Sequence, residues 1–265
     1  MLPAEEPPVP RPDDAQMKAA AAAVDRNPIY IWSYLLIRAV IGSLGLALPV
    51  MLIVVDWCLE GWNLRGSLSA YYHSGARDLF VGTLVLTGIF LITYKIFSGR
   101  SRENWLSTVA GVAALGVALF PAGLPAAEED RLTPLQKALT ETVTTSVHFS
   151  CAFLFIGLLG WICYLFARRE GARTKAEDPE WKHTRTAGFW RRYHLTCASF
   201  IAAAVLFIAV TKLSGFWQDY SLLVGEVVAV WAFGLSWLAK GREHRNLWKP
   251  KQPDGGNPQP RPASV

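Results

Sequence analysis

The sequence predicts an all-α polytopic membrane bundle with six transmembrane helices. Three observations lead to this fold class: the overall composition, six long apolar stretches, and the placement of the cations. Of the 265 residues, 52% are apolar and only 18% are charged, and the mean hydropathy is +0.24. Soluble domains average about 25% charged residues. The balance excludes a disordered chain and favours lipid as the solvent.

Six stretches are apolar and about long enough to cross a hydrocarbon core, which takes roughly 20 helical residues. They cover residues 30–55, 79–97, 105–121, 143–167, 193–211 and 222–239. The flanking residues 1–27, rich in proline and alanine, and 244–265 cannot build a core, so we predict two disordered cytoplasmic tails. The transmembrane domain is then 28–243.

The lysines and arginines predict the orientation. A cytoplasmic N-terminus leaves 20 of the 26 on the inner side, five outside and one, Arg38, within the first span. Membrane proteins carry such an excess of positive charge on their cytoplasmic loops. The eight cations from Arg168 to Arg192 are typical of a segment beside anionic lipid, and we predict no nucleic-acid partner. Both termini are expected in the cytoplasm of a bacterial cell, with the protein in the inner membrane.

Small residues predict where helices pack closely, because lipid offers no hydrophobic drive for association. We expect the third and fifth spans to occupy the centre of the bundle. The small residues at four-residue spacing are Ala110, Ala114 and Ala118 in the third span, and Ala198, Ser199, Ala202 and Ala203 in the fifth.

The segment before the fourth span carries a helix start. Thr133 and Gln136 form a capping box around Pro134, which suits the first helical position. We expect the helix to run from there through the membrane without a break. Glu141, Thr145 and His148 would then share one face.

Polar groups collect at the outer leaflet. Glu226 lies about five positions into the sixth span, where a carboxylate costs up to roughly 2.5 to 3.5 kcal/mol and usually serves a function. The predicted outer cluster comprises Ser69, Tyr72, His73, Arg77, Asp78, His148 and Glu226. Within it, His73, Asp78 and His148 are the candidate metal ligands.

A structural interpretation of the same residues stays open. Glu226 could be protonated or paired with Arg77 or Lys212, and His148 could bond a neighbouring helix. Arg38 is expected to extend its guanidinium to the cytoplasmic headgroups. His194 is expected at the inner interface.

Several segments carry a family resemblance: Ser67 to His73, Arg77 to Gly82, Gly116 to Pro121, and Trp231 to Gly241. They resemble an uncharacterised family of bacterial six-span inner-membrane proteins over about residues 30 to 243. More remotely, the outer serine-rich loop is similar to the DRAM/Frag-like six-span proteins. The resemblance implies a fold and a location.

Ser69, His73 and Asp78 also resemble part of the pattern of the ceramidase and adiponectin-receptor superfamily, which are membrane zinc hydrolases. That resemblance implies a metal-dependent hydrolase acting on a lipid, although those proteins have a histidine pair where this chain has Glu226.

The expected function is a non-enzymatic protein that interacts with membrane lipids or a small molecule. No cofactor is expected, and zinc belongs only to the hydrolase alternative. An oligomer is possible, but no feature of the sequence indicates one.

Overall fold

A computed structural model describes residues 28–93, 102–124, 132–176 and 185–247. It contains seven α-helices and one short 310 helix, Ser69–His73, and no strand within these ranges. The helices are α1 Pro28–Glu60, α2 Arg77–Thr93, α3 Arg102–Leu119, α4 Pro134–Leu139, α5 Glu141–Ala176, α6 Arg185–Ser214 and α7 Gln218–Leu247. The predicted all-α class is confirmed.

Each predicted span falls on a separate helix. Four helical segments are long and apolar enough to cross a membrane: Leu35–Glu60, Glu141–Glu170, Gly188–Ser214 and Gln218–Lys240. Helices α2 and α3 are shorter, with 17 and 18 residues.

Some predicted segments lie wholly or partly outside the described ranges. These are the tail 1–27, the end of the second span at 94–97, the middle of the basic loop at 177–184, and residues 248–265. The described part of the predicted C-terminal tail is helical, because α7 continues to Leu247.

The six longer helices form a closed ring. Going round it, the order is α1, α2, α3, α5, α6, α7 and back to α1, and α5 also contacts α7. The expectation of a central third and fifth helix is therefore wrong. Of the four long apolar segments, the one in α7 is the most buried. In its 18-residue apolar stretch 56% of the residues are buried, against 28 to 33% in the other three segments.

Two glycine pairs allow close helix crossings. A Cβ atom on Gly42 would lie 3.0 Å from the Gly234 carbonyl oxygen, where α1 crosses α7. A Cβ atom on Gly111 would lie 2.5 Å from the Gly88 carbonyl oxygen, where α2 crosses α3. Because these distances leave no room for a side chain, glycine permits the backbones to meet.

The predicted small-residue contacts are correct for one helix and wrong for the other. In α3 the predicted residues are buried: Ala110, Ala114 and Ala118. In α6 the predicted face is largely exposed, at Ser199, Ala202 and Ala203. The buried face of α6 carries instead Cys197, Ile201 and Ala204. Small size permits close packing, but the neighbouring helices decide which face is covered.

The helix start at Thr133 is confirmed, and the unbroken helix is not. The Thr133 backbone N–H donates to Gln136 Oε1 at 3.0 Å, and the Gln136 N–H donates to Thr133 Oγ1 at 3.3 Å. However, Thr140 has a φ of 70° and separates α4 from α5, which begins at Glu141. A β-branched residue in this region of backbone space is uncommon and marks a sharp turn.

Candidate functional site

The loop between α1 and α2 folds onto the beginning of α7. The Leu223 N–H donates to the Gly66 carbonyl at 2.9 Å. The Leu68 N–H donates to Glu226 Oε2 at 2.5 Å. The Glu226 carboxylate is thus held by the backbone of the loop, at what we call the loop end of the bundle, the end that carries residues 61–76.

A charged triad, Asp56, Glu60 and Arg65, closes this loop. Arg65 Nε donates to Asp56 Oδ2 at 2.9 Å, and Arg65 Nη2 donates to Glu60 Oε2 at 2.8 Å. The Gly75 N–H donates to Glu60 Oε1 at 2.7 Å, which connects the two ends of the loop. None of these three residues belongs to the predicted outer cluster. Three charges within ten residues, directly after an apolar span, were the available signal.

Tyr71 lies beneath the triad and is fully buried. The Arg65 guanidinium carbon lies 5.8 Å from the centre of the Tyr71 ring, within cation–π distance. Burial raises the pKa of the Tyr71 phenol above its ordinary value, so the ring stays neutral at physiological pH.

The two predicted histidines bind one short backbone segment. His73 Nε2–H donates to the Ala122 carbonyl at 2.8 Å, and His148 Nδ1–H donates to the Phe120 carbonyl at 2.7 Å. A carbonyl can only accept, so each of these ring nitrogens carries the proton. Both histidines therefore hold residues 120–124 against the bundle.

The helix start and the first turns of α5 hold the same segment. Gln136 Nε2 donates to the Ala122 carbonyl at 3.1 Å, and the Leu124 N–H donates to Glu141 Oε1 at 2.8 Å. A Cβ atom on Gly123 would lie 3.1 Å from Thr145 Oγ1. The prediction that Glu141, Thr145 and His148 share one face is confirmed, because all three contact this segment.

Three members of the predicted cluster form a separate group near the start of α2, two of them exposed and one buried. Arg77 and Asp78 are exposed at the start of α2. The Arg77 guanidinium carbon lies 4.9 Å from the centre of the Tyr72 ring. Tyr72 itself is buried and packs edge-on against Phe80, with 6.2 Å between the ring centres.

Three of the four other members line a cavity of about 50 Å³, and His73 is not among them. Ser69, His148 and Glu226 form its polar wall. Its other lining residues are apolar: Leu48, Leu68, Phe80, Leu84, Val117, Ala152, Phe155, Ile156 and Val230. The structure thus brings three of the seven predicted residues to one cavity inside the ring.

A second cavity, of about 30 Å³, lies alongside the first and shares part of its wall. The shared residues are Leu48, Leu84, Phe155 and Val230. Thr83 and Thr87 are the polar residues of the second lining, and no ionisable residue belongs to it. Together the two cavities form a mostly apolar space. The ionisable residues of their linings are His148 and Glu226, and both belong to the larger cavity at the loop end.

Glu226 is not paired with either predicted cation. Among the described residues, its hydrogen-bond partner is the Leu68 N–H. Arg77 lies over Tyr72, and Lys212 is exposed on α6. The ion pair that the sequence left open as one alternative is therefore not formed, and a backbone donor binds the carboxylate.

The described residues do not assemble a metal site. No group of three or more His, Cys, Asp or Glu side chains within these ranges could hold a metal ion. Of the candidate ligands, His73 and His148 each give one ring nitrogen to a carbonyl, and Asp78 is exposed.

At the opposite end of the bundle, here named the tail end, Arg38 is buried rather than extended toward headgroups. Its exposure is 1%. Its guanidinium carbon lies 5.5 Å from the centre of the Phe166 ring and 5.8 Å from that of Trp237. The expectation of an exposed guanidinium is wrong, because aromatic faces cover the cation and exclude lipid and water.

Two side-chain pairs complete the tail end. Lys240 of α7 forms a buried ion pair with Glu170 of α5. His194 of α6 is fully buried, and its Nδ1 lies 2.8 Å from Ser236 Oγ on α7. His194 is thus a core residue and not an interfacial one.

No protein-family model, no curated protein and no solved structure gives a significant match to this chain. The resemblances described above stay predictions, so a function has to be argued from the geometry of the site.

Proposed function

We propose that this chain is a six-span protein of a bacterial plasma membrane that binds a lipid or another small amphiphile and catalyses no reaction. The amphiphile occupies the cavity between Ser69, His148 and Glu226 and the apolar residues behind them. Both chain ends lie in the cytoplasm, and the loop end faces the outer leaflet.

The single observation that supports binding is the polarity of the cavity. One wall carries a carboxylate, an imidazole and a hydroxyl, and the rest is aliphatic or aromatic. A site of this kind orients a ligand by a few polar groups and binds it by apolar contact. A water molecule needs roughly 10 to 15 Å³ of such volume. The two adjoining cavities, of about 50 and 30 Å³, therefore together have room for a chain of roughly five to eight heavy atoms.

Ring closure supports six crossings. Helices α2 and α3 have 17 and 18 residues, at the lower end of the length that spans a bilayer. They pack on each other, and they join α1 to α5 within the ring. Arg38 lies beside Trp237, so residues near the beginning and the end of the bundle meet at the tail end. After an even number of crossings a chain returns to the side of the membrane on which it began, so its first and last helices meet there as Arg38 and Trp237 do.

Native Cys58 provides a test of orientation. It is exposed at the loop end, whereas Cys163 and Cys197 are buried. We expect a membrane-impermeant maleimide to label the protein in intact bacterial cells and to leave the Cys58→Ser variant unlabelled. A Cys58→Ser/Ser264→Cys variant should react only after the cells are opened. Labelling of Ser264→Cys in intact cells, or of Cys58 only after lysis, contradicts the proposed orientation.

Hexan-1-ol provides a test of binding. Ala152 lines the cavity, and its neighbour Phe153 is 72% exposed and does not line it. A ligand that binds only the folded state raises the midpoint of thermal unfolding. We expect hexan-1-ol to raise the midpoint of the wild-type protein in a nonionic detergent, an effect that Ala152→Phe removes and Phe153→Leu retains. If hexan-1-ol shifts the unfolding midpoint equally in all three proteins, the alcohol acts through the detergent micelle and not through the cavity. That result refutes the proposed function.

A further inference from the structure

The polar wall of the cavity contains acceptors and no cation, and from this we infer its ligand class. We propose that the site selects amphiphiles whose head donates hydrogen bonds, with a primary alkylammonium as the preferred ligand. This inference rests on the proposed function and specifies the head group that the same cavity takes.

Glu226 provides the first acceptor. A carboxylate accepts hydrogen bonds through both oxygens and donates none. Oε2 already accepts from the Leu68 N–H, and no second donor to the carboxylate is found among the described residues. The backbone contact fixes the position of the group and leaves Oε1 available to a ligand.

His148 provides the second acceptor. Its Nδ1–H donates to the Phe120 carbonyl, so the neutral ring has its lone pair on Nε2. The carbonyl partner therefore determines the tautomer. A ligand that carries an N–H or O–H group matches this nitrogen, whereas a carboxylate or phosphate ester without a proton does not.

Ser69 is the only hydroxyl in the lining of the larger cavity. Its Oγ lies 3.2 Å from Ser67 Oγ, which also accepts from the Ala70 N–H at 3.0 Å. Ser67 Oγ still has its own proton and a second lone pair, so either hydroxyl can be the donor in the Ser69–Ser67 contact. The Ser69 hydroxyl can therefore either donate to a ligand or accept from it, and it does not select the charge of the ligand's head group.

Two described cations of the loop end, Arg65 and Arg77, are directed elsewhere. Arg65 binds Asp56 and Glu60, Arg77 lies over Tyr72, and neither lines the cavity. A negatively charged head would meet the Glu226 carboxylate without a compensating cation, which is costly in a medium of low dielectric constant. A positively charged head would form a charge-assisted hydrogen bond to the same carboxylate, which is stronger than a neutral one.

Three six-carbon ligands test this selection: hexylamine, hexan-1-ol and hexanoate. Their dissociation constants for the wild-type full-length protein are measured from unfolding midpoints at pH 7.5 in one nonionic detergent, with Ala152→Phe as the control for micelle effects. We expect hexylamine to bind about tenfold more tightly than hexan-1-ol, and hexanoate to bind most weakly. In Glu226→Gln, whose amide oxygen can still accept from Leu68, the amine should lose about tenfold and the alcohol no more than about threefold.

The outcomes separate this inference from the proposed function. If hexanoate binds as tightly as hexylamine, or if Glu226→Gln weakens the amine and the alcohol equally, the head-group selection is wrong while amphiphile binding stands. If none of the three ligands shifts the wild-type midpoint relative to Ala152→Phe, both proposals are wrong. The ranking on the wild-type protein needs no variant at Glu226, so a Glu226→Gln protein that fails to fold leaves the test intact.

Discussion

The two ends of the bundle both bury polar side chains, but they satisfy them differently. At the loop end, His73, His148 and Glu226 bond to backbone carbonyls and an N–H group of neighbouring segments. At the tail end, side chains of different helices bond to one another, as in the Lys240–Glu170 pair.

The difference indicates two roles. At the loop end, one atom of the Glu226 side chain and one of the His148 side chain bond to the backbone. The other polar atom of each group is left for the cavity that both residues line. At the tail end, the charged groups of Lys240 and Glu170 bond to each other, and this pair connects α7 to α5. We therefore interpret the Lys240–Glu170 and His194–Ser236 pairs of the tail end as a structural lock, meaning contacts that fix α5, α6 and α7 to one another. The loop end is where we propose that a ligand binds.

The largest expected effect comes from breaking the lock at the tail end. Lys240→Met leaves the buried Glu170 carboxylate without this cation, and removing one partner of a buried pair costs about 3 to 5 kcal/mol. Unfolding by denaturant in detergent measures this loss of stability. The double variant Glu170→Met/Lys240→Met should recover most of it, and Lys212→Met, at an exposed lysine, should have little effect. An equal loss in the single and the double variant would contradict the interpretation of the pair as a lock.

A smaller effect is expected at the loop end. His148→Ala removes the donor to the Phe120 carbonyl, and an unsatisfied buried acceptor costs about 1 to 3 kcal/mol. The same unfolding experiment measures it, with Ser146→Ala on the exposed side of α5 as the control. Because His148 also lines the cavity, hexylamine binding should weaken in the folded variant. A variant with wild-type stability shows that the histidine does not hold residues 120–124.

The smallest effect is expected at Asp78. It is exposed in the first turn of α2, where a carboxylate favours the helix dipole by about 0.3 to 1 kcal/mol. Asp78→Asn should lower stability by no more than this amount and leave hexan-1-ol binding unchanged. Elemental analysis of the same two proteins tests the hydrolase alternative. One zinc per wild-type chain that is absent from Asp78→Asn would favour the hydrolase over the binding protein.

Local physical rules accounted for the features that neighbouring residues decide. The six helices follow from runs of apolar residues, because length and hydropathy are properties of a contiguous segment. The capping box at Thr133 and the shared face of Glu141, Thr145 and His148 follow from helical spacing. The break at Thr140 does not, since no local pattern there requires a positive φ.

Long-range contacts explain the errors at charged residues. Arg38 was expected at the headgroups, because a long cationic side chain near a helix end can reach them. In the fold, Phe166 and Trp237, more than a hundred positions away in the chain, cover it. The exposure of Asp78 likewise depends on how the 61–76 loop returns to the bundle. The triad around Arg65 is different, because its partners lie only five and nine positions away in the chain.

Local composition and spacing identify the helical, apolar segments, the start of one helix, and the titratable residues that lie at the same end of the bundle. It is the folded chain that brings Ser69, His148 and Glu226 to one cavity and leaves Arg77 and Asp78 exposed outside its lining. The physical reason is that ring closure and the docking of Leu68 on Glu226 join residues 158 positions apart, and local spacing does not encode such contacts.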